Sequence, residues 1–276
     1  MLIKSILLKY KWRLILTLFL ILSESLLGIL FPLFIGKSIS AVLNQDTSGI
    51  INLGILGLVL VIFGGFRRLY DSRLYAKIYT HLSVRTLAKM DQDNPSVKTA
   101  RLNMLAEMVD FSENQLPDII QHSIGLIGII IIIGFLNLTI FFGAIIAALI
   151  ILALYWITSD KTYKVNTELN NEMETQVQVV SMNQASVLKF HLKELMKWNI
   201  KLSDIETINY SISWLIMLCL LLASIGISVS GNNLEYGVLF ALIMYVYQYI
   251  ESVVSLPLYY QQWLRLKEIS NRTENI

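Results

Sequence analysis

Of the 276 residues, 55% are hydrophobic and only 15% charged, with a mean hydropathy of +0.61. A soluble domain carries about 25% charged residues, so this composition suits the bilayer as solvent. The net charge of +2 gives no electrostatic case for nucleic acid, and one cysteine, Cys219, excludes a disulfide framework within one chain.

A span needs about 20 mainly apolar residues to cross a hydrocarbon layer about 30 Å thick. The first is residues 12–35, with Lys4, Lys9 and Lys11 before it and Arg13 at its start. Its apolar run continues past Ser23, Glu24 and Ser25 without a small-residue cleavage site, so we read a retained span and not a removable leader. The second span, 50–66, ends at Arg67 and Arg68. The third, 119–136, and the fourth, 138–157, are separated only by Asn137, and the fifth and sixth are 212–229 and 236–256. Trp12, Trp156 and Trp214 fall near span ends, as in an aromatic belt. Six spans place 21 of the 22 Lys and Arg on one side and only Lys37 on the other. The positive-inside rule then assigns both termini and both long connections to the cytoplasm of an inner or plasma membrane. Cys219, inside the fifth apolar run, reads as a small buried core residue.

Both long connections, residues 67–118 and 158–210, read as helical hairpins that prolong the spans. From Arg67 to Met90 there is no Pro or Gly, and Leu69, Ala76, Ile78, Leu82, Leu87 and Met90 recur as apolar positions. Residues 160–202 also lack both breakers, and Lys164, Glu168 and Glu172 stand at i,i+4 spacing. The first hairpin turns at the breaker cluster Asp91-Gln92-Asp93-Asn94-Pro95-Ser96, which would cap a short helix over 96–104. The second turns at the polar stretch 181–186. The expected fold is all-α and integral to the membrane: one domain of six transmembrane helices with long cytoplasmic helical extensions.

This layout resembles the membrane domain of type I ABC exporters. The resemblance covers residues 1–276 and includes the basic exit Arg67-Arg68-x-Tyr70, the acidic Asp110 after the first turn and the tail Leu-Arg-Leu-Lys-Glu-Ile at 264–269. It implies a half-transporter that pairs with a second membrane domain, most simply as a homodimer of twelve spans. No G-x-x-x-x-G-K-[ST] phosphate loop occurs in these residues, and without its amides and lysine this chain holds no nucleotide. The resemblance therefore implies no enzyme activity and no cofactor in this chain, with ATP acting only through a separately encoded ATPase. That subunit would dock on the two turns, at Ser96, Lys98 and Arg101 in the first and Asn183 and Gln184 in the second.

Glu24 lies near the middle of the first span, where a carboxylate costs a few kcal/mol or more and marks a substrate path, a proton path or a hydrogen-bonded joint between helices. Ser23 and Ser25 flank it. In the sixth span Gln248, Glu251, Ser252 and Ser255 follow i, i+3, i+4, i+7 spacing, a polar stripe that turns toward a cavity or another helix. Ser213, Ser224 and Ser228 form a thinner stripe suited to interhelical packing. Gly54-x-x-Gly57 and Gly125-x-x-Gly128 read as close-packing positions. His81, His122 and His191 have no metal-ligand spacing.

Taken together, these features read as the membrane subunit of a transporter. It would move a hydrophobic or amphipathic solute (small molecule, lipid or peptide) by alternating access, powered by a partner ATPase. Two alternatives stand beside it: a proton-coupled transporter with an exporter-like membrane domain, in which Glu24 and Glu251 titrate, and a non-transport membrane assembly or regulatory protein.

Overall fold

A computed structural model describes residues 2–90, 95–229 and 235–274. It is built from α1 (Leu2–Leu43), α2 (Ser48–Lys89), α3 (Pro95–Asp110), a π-helical turn (Phe111–Gln115), α4 (Leu116–Leu136), α5 (Leu138–Ser181), α6 (Ala185–Val229) and α7 (Tyr236–Glu274). The fold is all-α, with no strand among the described residues and six helices long and apolar enough to span a membrane. Residues 91–94, where the first turn was placed, lie outside the described residues, as do the side chains of Ser96 and of the 264–269 tail.

Apolar spans run without a break into charged helix. α2 continues 23 residues past Phe66, to Lys89, about 35 Å at 1.5 Å per residue. α5 continues from the end of its apolar run to Ser181 over about 36 Å. The short helix expected at 96–104 is instead the 16-residue α3, which passes through the π turn directly into α4. Pro95 is its first residue, where the missing N–H costs nothing, and no Pro or Gly follows before Pro117, the second residue of α4.

The chain divides into two compact units: Met1–Asn137 with Ile227–Ile276, and Leu138–Gly226. In the first, α1 and α2 form an antiparallel hairpin around the turn at 44–47. Gln45 takes a left-handed φ of 59° there. Asp46 accepts the Ser48 hydroxyl at 2.5 Å and the Ser48 N–H at 2.9 Å, and these bonds hold its carboxyl below the usual carboxylate range. Further along, α1 and α7 cross glycine to glycine. A Cβ on Gly36 would strike the carbonyl oxygen of Gly237, and one on Gly237 would strike that of Gly36 and the Ser40 hydroxyl. Below the crossing Tyr245, fully buried, donates to the Ile29 carbonyl at 2.8 Å. Toward the side that carries the basic residues, Leu74, Ile78 and Leu82 of α2 pack on Leu105, Met108 and Val109 of α3.

The second unit is the α5–α6 hairpin. Ile140, Ala144, Ala147 and Ile151 are buried on α5 and Met217 and Leu220 on α6. Gly143 admits Leu220 so closely that a Cβ there would lie 3.3 Å from its methyl. Polar rungs tie the charged ends of the same pair. Asn209 donates to Thr158 at 2.9 Å, Tyr155 is hydrogen-bonded to the buried Ser213, and His191 Nδ1 lies 2.7 Å from Glu172. Glu172, read from its spacing as part of an intrahelical charge ladder, is thus used across the hairpin. Ser224 and Ser228 are buried as the thin stripe predicts.

Two expectations need correction. Cys219 is exposed, because the face of α6 that buries Met217 and Leu220 turns it outward. The spacing Gly54-x-x-Gly57 is not a packing motif: a Cβ at either position meets nothing within 4 Å, and of the Gly125/Gly128 pair only Gly128 is crowded, by Ile29. Gly237→Ala should therefore lower the thermal midpoint of the purified chain, the equivalent of about 1–3 kcal/mol of overpacking. Gly54→Ala should hold or raise it through the roughly 1 kcal/mol helical preference of Ala over Gly. Thermal scans of both variants in the same detergent check the contrast.

Candidate functional site

A buried ionic node joins three helices of the first unit, and hairpin register builds it. Glu24 lies as far from the end of α1 as Arg67 lies from the start of α2, about 29 Å in each case at 1.5 Å per residue. Antiparallel packing around the turn at 44–47 therefore brings the two residues level. Arg67 donates from Nε to Glu24 Oε2 at 2.5 Å, and from Nη1 to Asp71 Oδ2, one turn along α2, at 3.4 Å. Thr17 of α1 donates its hydroxyl to Asp71 Oδ1 at 2.7 Å. From α4, Gln121 Nε2 donates to Glu24 Oε2 at 3.0 Å, and the Gln121 carbonyl accepts the Ser25 hydroxyl at 3.3 Å. Glu24 Oε1 lies 2.9 Å from where a Gly64 Cβ would stand, so the glycine leaves the carboxylate its room.

The side chains of Arg67 and Asp71 are 7% and 2% exposed, and that of Glu24 21%. Taking ions out of water costs several kcal/mol each, and only close partners offset that cost. The planar guanidinium suits the task, since one side chain presents donors to two carboxylates in fixed directions. Two carboxylates around one guanidinium leave a formal charge of −1 in the cluster, and Glu24 is its most accessible member.

This placement revises the sequence reading of Glu24. The carboxylate is neither alone nor at the centre of the apolar layer. Gln121 stands only about 23 Å from the far end of α4, so the node occupies the third of the layer nearest the basic side. Ser25 takes part, whereas Ser23 only bonds back to the Phe19 carbonyl. Arg67, read as a span exit, is the centre of the node. Asp71, Thr17 and Gln121 went unremarked, although the i,i+4 pair Arg67/Asp71 and the need of a membrane carboxylate for a partner both signalled them.

Elsewhere the candidate residues scatter. On α7 Ser252 is buried and donates to the Gln248 carbonyl at 2.9 Å, Gln248 and Ser255 are half-buried, and Glu251 is exposed beside Tyr247, to which it is hydrogen-bonded. The stripe lies on α7 as its spacing predicts, but none of the bonds formed by its members reaches Glu24. On the turns, Lys98 and Arg101 lie half-buried on α3. Asn183 and Gln184 are exposed in a three-residue connection, where Asn183 takes φ 50°, a left-handed conformation that Asn tolerates. The histidines are apart: His81 lies near Lys9 and Tyr10, His122 against the Tyr259 ring and His191 on Glu172.

The bond from Thr17 can be tested alone. Thr17→Val keeps the shape and deletes the donor to a carboxylate that is 2% exposed, so unfolding of the variant in mixed micelles should come about 1.5–3 kcal/mol earlier, the worth of a hydrogen bond to a charged group. Thr17→Ser, which keeps the hydroxyl, should lose well under half of that.

No curated protein matches the chain. The family model described as the ABC transporter transmembrane region matches residues 3–251, nine-tenths of the sequence. With six membrane-competent helices in an all-α fold, this chain belongs to the ABC transporter transmembrane-region family and is a multi-pass membrane protein.

Proposed function

We propose that the chain is the membrane subunit of an ABC-type transporter. It moves a hydrophobic or amphipathic solute by alternating access and draws energy from a separately encoded ATPase. The reach of the helices carries this reading most directly. α2 and α5 run about 35 Å beyond their apolar segments, a rigid length that serves to transmit motion between the layer and a subunit docked at the turns. The absence of a phosphate loop from these residues leaves nucleotide binding to that subunit. Both termini and both turns are cytoplasmic, on the argument of 21 basic residues on one face.

Glu251 supports pairing with a second membrane domain, in the simplest case another copy of this chain. It is an exposed carboxylate about 23 Å along α7 from Tyr236, still within a layer about 30 Å thick, where contact with lipid tails is costly. A water-filled path between two subunits, lined by Glu251, Tyr247 and Gln248, relieves that cost. The proton-coupled alternative centres on Glu24, and the direct pairing with Arg67 favours a joint between helices over a group that gains and loses a proton in each cycle.

Reconstitution separates these readings. In proteoliposomes the chain with its ATPase should accumulate solute on addition of ATP, while a pH gradient alone should drive none. Glu24→Gln should leave ATP coupling intact. Charge reversal at Lys98 and Arg101 together should weaken association with the ATPase about tenfold or more, and reversal at Arg265 much less. Gradient-driven uptake abolished by Glu24→Gln would reverse the assignment, and equal losses from the turn and tail variants would remove the docking role from the first turn.

A further inference from the structure

Outside the apolar span, α2, α3 and the π turn flank an open cavity of about 240 Å³. Its lining combines two carboxylates with two phenols. Asp110 closes α3 and Glu113 sits within the π turn, while Tyr75 and Tyr79 face them from α2. No basic residue lines it. Asp110 accepts only the Asn114 amide, at 2.8 Å, and Glu113 has no cationic partner among the described residues. Tyr75 is 6% exposed, packed into the α2–α3 core, yet its hydroxyl has no hydrogen-bond partner among the described residues. The rest of the residue is buried while the hydroxyl opens on the cavity, free for a ligand or water to bond. The π turn adds a local cue, since such one-turn widenings of a helix concentrate at functional sites.

Each wall favours the same guest. Uncompensated carboxylates attract a cation and repel an anion. Aromatic faces add attraction for a cation that carries little hydration, as an alkylated ammonium does. A bare metal ion finds poor terms, for no three metal-ligating side chains converge among the described residues, and the phenol rings offer no hard-ion cage. We infer that the α2–α3 cavity binds a small organic ammonium cation, with Glu113 and Asp110 as counter-charges, the partly buried Tyr79 ring as a wall and the Tyr75 hydroxyl free to bond a polar substituent. The inference rests on the geometry of one unit and not on the transport reading, so either can fail without the other.

Choline and its neutral isostere 3,3-dimethyl-1-butanol, titrated calorimetrically into the full chain in lipid nanodiscs, provide the test. Choline should bind saturably, and the isostere, alike in shape and hydroxyl but uncharged, about tenfold more weakly or worse. Glu113→Gln should weaken choline about tenfold and leave the isostere unchanged, and Tyr75→Phe should weaken both ligands, since both carry the hydroxyl. Asp110→Asn, at an exposed position, should cost several-fold in choline affinity and keeps the test alive if the Glu113 variant loses its helicity or elutes as aggregate. Equal affinity for the two ligands, choline binding indifferent to both carboxamide variants, or no saturable choline binding would each overturn the assignment.

Discussion

The first unit turns on one ion pair inside an apolar layer. Arg67 must meet a carboxylate, because an unpaired guanidinium at 7% exposure is among the costliest groups a membrane helix can carry. Meeting Glu24 fixes the register of α1 against α2. The remaining bonds then follow from helical geometry. Asp71 lies one turn from Arg67 and takes its second donor, Thr17 lies two turns from Glu24 and reaches Asp71, and Gln121 brings α4 to the same carboxylate. Lipid supplies little hydrophobic drive between apolar helices, so packing of small residues and polar bonds decide which faces meet. The node and the Gly36–Gly237 crossing are those two devices, placed at opposite ends of the same bundle.

The two units solve the same problem differently. The first concentrates charge in one buried cluster, whereas the α5–α6 hairpin spaces single neutral or weakly ionic rungs along its length, at Thr158–Asn209, Tyr155–Ser213 and Glu172–His191. A cluster resists shear among three helices at once. A ladder of separate bonds lets two helices act as one long rod, which suits the proposed task of carrying motion from the docked ATPase to the membrane.

Much of this was legible in the sequence. The six apolar runs, the helical nature of the connections and their unbroken join to the spans followed from hydropathy and from the absence of Gly and Pro. Glu24 stood out as a carboxylate within a span. Its partner did not, although the equal distances of Glu24 and Arg67 from the turn at 44–47 encode the meeting, because Arg67 had a sufficient local explanation as the end of an apolar run. Packing faces were harder to read. Gly54 and Gly57 share the spacing of a packing motif, yet Gly36 and Gly237, with no local motif, make the close crossing, because spacing along one helix does not reveal which face meets a neighbour. Cys219 failed for the same reason. The α2–α3 cavity was invisible because it joins residues about 35 positions apart and depends on a π turn that no residue pattern announces.

A double-mutant cycle on Glu24 and Arg67 tests the ionic node most directly. Unfolding free energies in mixed micelles would be measured for the parent, Glu24→Gln, Arg67→Gln and the double variant. If the pair sets the register of the first unit, Arg67→Gln is the worst of the three, since it leaves two buried carboxylates facing each other, and the coupling energy is about 1.5–3 kcal/mol. Additive losses, with a coupling energy near zero, would contradict the account and leave the glycine crossing as what holds these helices together.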